Sequence, residues 1–359
     1  MNLTHLQGIN LRCLSKFELT PSSGVNFLIG DNGSGKTSII EAIHILGYGK
    51  SFRSRIRDGL IKFDEQQLQI TVRWLDSNKT TNQAGFQHNG NSWQARINSE
   101  NISQLGQFCA QFPILSFEPG SHELISGKSD IRRRFMDWAL FHVEPDFFPQ
   151  WRRFNRALKQ RNALLKLNPT NNELAVWDVE FSEAGELLSQ FRKKYLNALV
   201  NELNPIAKLF IPECGELQLI YSPGWKDQQL SLLDSLTINR ERDIMSGFTT
   251  TGPHRADWSP VCNQKLSAEH FSRGQAKLIT LSCLLAQTQL FAFEKKLWPI
   301  LCFDDLASEL DQQHLQNVVQ ILAHTKAQIW ITGTEYLQVY KEAFHTQKLF
   351  HVKQGVLYE

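Results

Sequence analysis

The chain has no C-x-x-C pair: its six cysteines, Cys13, Cys109, Cys214, Cys262, Cys283 and Cys302, lie far apart. That excludes a disulfide framework and a zinc ribbon and predicts ordinary reduced thiols. There is no G-x-S-x-G elbow, no H-E-x-x-H and no N-K-x-D element, and the eleven histidines show no ligand spacing. Hydrolase-triad, zincin and GTPase chemistries therefore lack their residues. An excess of one charge is also missing. Lys and Arg number 38 against 36 Asp and Glu, a net +2, so global electrostatics selects no partner and local clusters must carry any such signal. In the first stretch, "MNLTHLQGINLRCLSKFEL", polar residues interrupt every apolar run. It fits neither a secretory segment nor a membrane span, and the expectation is a cytoplasmic protein that engages no membrane. Long heptad arrays are absent too: Trp151, Phe154, Leu158 and Leu165 share a seam of only about two or three heptads, too short for a coiled-coil arm.

What is present begins with alternation. "LTHLQGINLRCL" and "KFELT" have strand periodicity, and "VNFLIG" is a short apolar strand ending at Gly30. "KTSIIEAIHILGYG" follows as a helix with Ile39, Ile40, Ala42, Ile43 and Leu46 apolar, stopping near Gly47 and Gly49. Between this strand and helix lies "GDNGSGKT", a full match to G-x-x-x-x-G-K-[ST]. Glycines there let successive backbone N–H groups wrap phosphates, a lysine meets the β/γ charge, and a hydroxyl meets Mg²⁺. The nucleotide-binding candidates are accordingly Gly30, Asp31, Asn32, Gly33, Ser34, Gly35, Lys36, Thr37 and Ser38, for ATP with Mg²⁺.

"PILCFDDLASELD" places two carboxylates at the end of an apolar strand, where open α/β sheets bind ligands. Asp304 fits a Mg²⁺-holding residue together with Thr37, and Asp305 fits the group that orients or deprotonates an attacking water, with Lys36 as its catalytic companion. Read alone, the strand and its two aspartates also describe a capped helix start, as does "SELD" before a helix near Asp311. "ITGTEY" puts Thr332 and Thr334 where a γ-phosphate sensor would sit, with an end-of-strand turn as the equal alternative. "FSRGQAK" combines the Ser272 hydroxyl, the bare backbone of Gly274 and the start of a helix, an arrangement suited to an anion.

Basic residues cluster in two places. Between Arg132 and Arg161 stand eight Lys and Arg against three acids, with Trp138, Phe147, Phe148, Trp151 and Phe154 interleaved; Lys50, Arg53, Arg55 and Arg57 form a second run. Such faces attract phosphate backbones without reading bases, while solvated helix faces over core aromatics give the same pattern. Arg53, Arg55, Arg132, Arg133, Arg152 and Arg153 are the DNA-binding candidates. A mostly helical stretch from about Ser129 to Leu203 separates two α/β portions, which predicts a split nucleotide core: residues 1–118 with 292–359, and an inserted lobe over 119–291. After Leu203, "NPIAKLFIPECGELQLIYSPGW" reads as a turn into a strand.

Together, the phosphate loop, "FSRGQ", "CFDDLASELD", "GPHRADW" and above all "PILSFEPGSHELISGKSDIRRRFMDW" closely resemble the RecF family of bacterial DNA repair proteins across essentially the whole chain. Ala256 departs from that family's usual acidic residue after "GPHR". The resemblance implies an ABC-type ATPase of α/β class with an SMC-like head and no long coiled coil. It implies that ATP is bound between two copies, with Ser272, Gly274 and Gln275 of one chain capping the nucleotide on the other. It further implies an ATP-dependent homodimer that clamps DNA, weak DNA-dependent hydrolysis that serves release, and action with RecR and RecO to promote RecA loading where single strand meets duplex. An ABC transporter subunit would share the phosphate loop, the signature and the carboxylates, but such subunits place the signature much nearer the phosphate loop and have no use for the inserted basic helical block. An SMC-type structural head would need a far longer coiled coil.

Overall fold

The structure is a computed structural model that describes residues 1–53, 59–167, 170–262 and 271–359. Strands β1 (Asn2–Leu11) and β2 (Leu14–Leu19) form the opening hairpin, β3 (Val25–Ile29) runs into the phosphate loop, and helix α1 (Lys36–Tyr48) leaves it. Gly49 ends α1 in a left-handed cap, its N–H donating to the Ile45 carbonyl. Then come β4 (Leu68–Leu75), β5 (Thr81–His88), β6 (Trp93–Ile97), β7 (Glu100–Ile102), helix α2 (Leu105–Cys109) and β8 (Ile114–Phe117).

The middle of the chain is mostly helical: α3 (Glu123–Ser126), α4 (Ser129–Val143), α5 (Phe147–Leu165), α6 (Asn171–Phe210), α7 (Leu232–Ile238) and α8 (Arg240–Ser246), with a two-stranded antiparallel ribbon of β9 (Leu217–Ser222) and β10 (Asp257–Cys262). Helix α9 (Arg273–Lys295) follows, then β11 (Ile300–Phe303), α10 (Leu306–Glu309), α11 (Gln312–Ala323), β12 (Ile329–Gly333), α12 (Gln338–Ala343), β13 (Gln347–Lys353) and β14 (Val356–Tyr358). The chain forms two compact units, Met1–Gly120 with Phe291–Glu359, and Ser121–Leu290.

The first unit holds two six-stranded sheets. One is antiparallel, in the order β2-β1-β4-β5-β6-β7; the other is mainly parallel, in the order β14-β13-β3-β12-β11-β8. All residues of β3, β11 and β12 are buried, as expected for strands covered on both faces. The antiparallel sheet alternates instead: Leu68, Ile70, Val72 and Trp74 of β4 face a core shared with Ile39, Ile43 and Leu46 of α1, and the intervening residues face outward. Because β12 lies between β3 and β11, its end separates the phosphate loop from the paired aspartates.

In the second unit α6 is a single helix of 40 residues with Pro205 inside it. The expected turn at Asn204–Pro205 does not form. Ile206, Ala207 and Phe210 are buried, and the Asn204 amide donates to the Val200 and Leu217 carbonyls while accepting from the Leu217 N–H. Packing and this tie to β9 outweigh the roughly 3 kcal/mol that an internal proline costs a helix. The seam expected along α5 is partial: Phe154 and Leu165 are buried, whereas Trp151 is exposed. Helix α9 is long and apolar enough by composition to cross a membrane, yet 67% of its most apolar stretch is buried inside the fold, as in a core helix.

Candidate functional site

The phosphate loop is set by close backbone approach. A Cβ on Gly30 would meet the Val352 carbonyl oxygen at 2.1 Å, and Gly35 holds φ at +114°, which a side chain would strain. Gly35 is also the N-cap of α1 and brings no capping side chain; the Ser38 N–H donates to the Gly35 carbonyl at 3.0 Å, and the Lys36 and Thr37 N–H groups keep their capacity for an anion. The Ser34 hydroxyl in the loop is buried without a hydrogen-bond partner. These features fit a bound polyphosphate. Lys36 lies 7% exposed with its Nζ donating to the Gly30 and Asp31 carbonyls at 2.6 and 2.8 Å. Burial pushes the Lys36 ammonium below its usual pKa, opposed by the negative charges of Asp305, Asp304 and Asp31.

Asp304 follows β11 and is 4% exposed. Its Oδ1 accepts from the Thr37 hydroxyl at 3.0 Å and from the Thr332 hydroxyl at 2.8 Å. Burial pushes the Asp304 carboxyl above the usual carboxylate range, while the two hydroxyls and the charge of Arg53 act in the opposite direction. Asp305 adopts a left-handed backbone, φ 55°, unusual for a residue with a side chain. Its N–H donates to the Thr332 Oγ1 at 2.9 Å. Thr332 thus braces both carboxylate positions from the neighbouring strand, whereas Thr334 is exposed. Among the described residues no group of three or more His, Cys, Asp or Glu gathers for a metal. The donor set of a threonine hydroxyl and one carboxylate suits Mg²⁺, which keeps water and phosphate oxygens as its remaining ligands.

A second layer supports the loop. Glu41 of α1 is fully buried and takes a two-pronged ion pair from Arg12, at 2.8 and 2.7 Å, and a hydrogen bond from the Ser51 hydroxyl. Ser51 Oγ in turn accepts from the Arg53 N–H at 3.0 Å. Glu41 stands between apolar neighbours in the sequence, and no local pattern marks it. Arg53, one of the DNA-binding candidates, also has its charge felt at Asp304. Arg55 lies outside the described residues.

Ser272, Gly274 and Gln275 open α9 in the second unit. The Ser272 Oγ accepts from the Gln275 N–H at 3.2 Å and the Gln275 Oε1 accepts from the Ser272 N–H at 3.1 Å, a reciprocal capping box. Ser272 and Gly274 are exposed. Farther on, Asp311 itself caps α11, accepting from the His314 N–H.

The stretch Arg132–Arg161 is not a continuous positive face. Arg132 forks onto Asp257 at 2.6 and 2.9 Å, Arg133 donates to the Ser129 hydroxyl and the Ala256 carbonyl, and Arg153 pairs with Glu180 and Glu183. Arg161 is completely buried between Asp178 and Asp243, and Trp138, Phe147 and Phe154 belong to the core. Arg152 is exposed and lies over the Phe148 ring at 6.0 Å. "GPHR" is likewise structural in this fold: the Pro253 carbonyl accepts from Arg192, and His254 Nε2 donates to the Thr249 carbonyl. Ala256 is buried, and the neighbouring Asp257 supplies the carboxylate that meets Arg132.

Residues 2–357 match the family model described as RecF/RecN/SMC N terminal domain. The DNA replication and repair protein RecF of Xanthomonas axonopodis pv. citri is 47% identical over 359 residues, covering 99% of this chain and 98% of that protein. Among solved structures, the ATP-bound recombination mediator protein RecF of the RecFOR pathway superposes with a TM-score of 0.89 at 24% identity, over 99% of this chain and 97% of the other. An Smc head bound to the C-terminal winged-helix domain of ScpA gives 0.60 at 13% identity, over 99% and 96%, a likeness of fold alone. The fold is that of a P-loop ABC-type ATPase head. With this identity sustained over its full length, the chain belongs to the RecF family of DNA replication and repair proteins.

Proposed function

We propose that this protein is an ATP-gated DNA-binding protein of recombinational repair, in which nucleotide state controls dimerisation and dimerisation controls the grip on DNA. The observation that carries the reading is the joining of Thr37, Asp304, Thr332 and Asp305 at one end of the parallel sheet. The loop N–H groups, the α1 N-terminus and Lys36 would hold the β- and γ-phosphates of ATP. Thr37 and Asp304 would hold Mg²⁺, which supplies charge neutralisation on the phosphates. Asp305 would orient a water and accept its proton, and the Thr332 hydroxyl, which accepts from the Asp305 N–H, would steady the backbone that aims it.

A ligand held equally by monomer and dimer shifts no equilibrium, so ATP must gain contacts only in the dimer. Ser272, Gly274 and Gln275 supply them in this reading: an exposed, capped helix start on one copy faces the γ-phosphate held by the other, a contact ADP cannot make. Hydrolysis is then weak, DNA-dependent and directed to release. RecR and RecO are the inferred partners and RecA loading at single-strand/duplex junctions the inferred outcome, on the family resemblance and on the RecFOR assignment of the ATP-bound relative. Cytoplasmic location follows from the same reading.

Sedimentation velocity with ATP tests it. Lys36→Met is expected to abolish ATP binding, whereas Ser272→Arg is expected to bind ATP normally and remain monomeric. ATP-dependent dimers of the Ser272→Arg variant would overturn the assignment in trans.

A further inference from the structure

The arginines that sequence clustering singles out are mostly tied to carboxylates or carbonyls, and the arginines best able to meet a ligand lie elsewhere. On the outward face of the antiparallel sheet, cross-strand pairing aligns Gln7, Thr71, Gly85 and Arg96 in one row, and His5, Arg73 and Gln83 in the next. Arg73 is exposed and forms no ion pair among the described residues. Arg96 is exposed and, among the described residues, donates to the neutral amide of Asn101 at 2.8 Å and forms no ion pair. The face is rich in side-chain amides, Gln69, Gln87 and Gln94 forming a further row beside these. Its acidic residue in these rows, Glu18, stands on the far strand β2 and is already engaged by His5 and Gln7.

The surface is concave. Thr71, Arg73, Gln83, Gly85 and Arg96 line a depression of about 690 Å³. Gly85 forms its floor, and a Cβ there would meet nothing within 4 Å. From strand spacing and rise, the Arg73 and Arg96 Cα atoms stand roughly 12 Å apart, leaving room for a backbone to pass between two guanidinium groups.

We propose that this sheet face is a docking surface for the sugar-phosphate backbone of DNA, with Arg73 and Arg96 neutralising phosphates and the glutamine amides donating to neighbouring oxygens. Charge complementarity selects the occupant: two cations without carboxylate partners, a field of neutral donors and no large apolar patch suit a polyanion and offer a protein partner little to bury. The inference rests on the DNA-binding reading above and locates the surface that serves it. Nothing in it reads sequence, since phosphate contacts position without specifying.

The test is fluorescence anisotropy of a labelled gapped duplex with full-length protein and ATP, between 50 and 200 mM salt. The variants are Arg73→Gln/Arg96→Gln, Gly85→Glu, which adds a charge in open space, and Lys326→Glu as a control on an exposed residue outside the sheet. Two lost phosphate contacts lower the log–log salt slope by about 1.8, so the fall in affinity across this salt range shrinks about tenfold in the double variant. Gly85→Glu is expected to weaken binding at low salt, Lys326→Glu to behave as wild type, and nucleotide affinity and thermal unfolding to be unchanged in all three. Wild-type affinity and slope in both sheet variants would overturn the proposal and leave the face to a protein ligand. So would equal losses in the control. Failure of the wild type itself to bind DNA in any nucleotide state would instead overturn the functional reading beneath it.

Discussion

Thr37 and Asp304, 267 positions apart in the chain, are joined by a 3.0 Å hydrogen bond from the Thr37 hydroxyl to the Asp304 carboxylate. The bond sets the two expected Mg²⁺ ligands side by side, one from the first turn of α1 and one from the end of β11. Thr37→Ala removes both the expected ligand and a charge-assisted hydrogen bond. It is expected to weaken Mg²⁺–ATP binding roughly 10- to 100-fold, with Thr37→Ser near wild type. Titration of a fluorescent ATP analogue checks this, and the difference should vanish when Mg²⁺ is chelated.

Thr332 accepts from the Asp305 N–H and donates to Asp304 with one hydroxyl. Thr332→Val keeps the shape and leaves a backbone N–H without its partner, a cost of about 1–3 kcal/mol. Because Asp304 also loses a donor that lowers its pKa, the acid limb of the ATPase pH profile is expected to move to higher pH. Steady-state kinetics should show kcat falling with KM little changed, and Thr332→Ser should restore both the rate and the profile.

Arg161 is 0% exposed and bridges Asp178 of α6 and Asp243 of α8. Arg161→Met strands buried negative charge and is expected to destabilise the protein by about 3–5 kcal/mol. Chemical denaturation measures it. The double variant Arg161→Met/Asp243→Asn should recover part of the loss, which a simple packing defect would not allow.

His254 is held neutral by burial, its pKa pushed down to about 4, with Nε2 committed to the Thr249 carbonyl and Nδ1 buried without a partner. A folded-state pKa below the unfolded value near 6.5 means stability is complete above that value and falls as the pH drops toward 4. The loss attributable to this one proton is on the order of 3 kcal/mol across the window. Unfolding free energies of wild type and His254→Gln between pH 7 and pH 4 should converge as the pH falls.

Local pattern carries much of this fold. The strand ending at Ile29, the helix beginning at Lys36, the strand before Asp304 and the helix capped by Asp311 all follow from short-range periodicity and capping chemistry, and they set the phosphate loop and the paired aspartates at strand ends. What stays hidden depends on partners distant in sequence. Arg132 meets Asp257 and Arg161 meets Asp243, 125 and 82 positions away, so counting charge along α4 and α5 exaggerates their positive faces. Glu41 looks like an ordinary helix residue until Arg12 and Ser51 close on it. Pro205 reads as a helix end because the tie that holds the helix there, from the Asn204 amide to Leu217 of β9, is not visible in local pattern. Arg73 and Arg96 are the reverse case: each is an unremarkable polar position in an alternating strand, and only cross-strand register gathers them onto one face.

Affinity for a gapped duplex, measured at several salt concentrations with ATP held unhydrolysed by an Asp305→Asn variant, with ADP and without nucleotide, tests the central claim most directly. The ATP state is expected to bind at least about tenfold more tightly, equivalent to about 1.4 kcal/mol of coupling between nucleotide and DNA. Equal affinity in all three states at every salt concentration would contradict nucleotide gating.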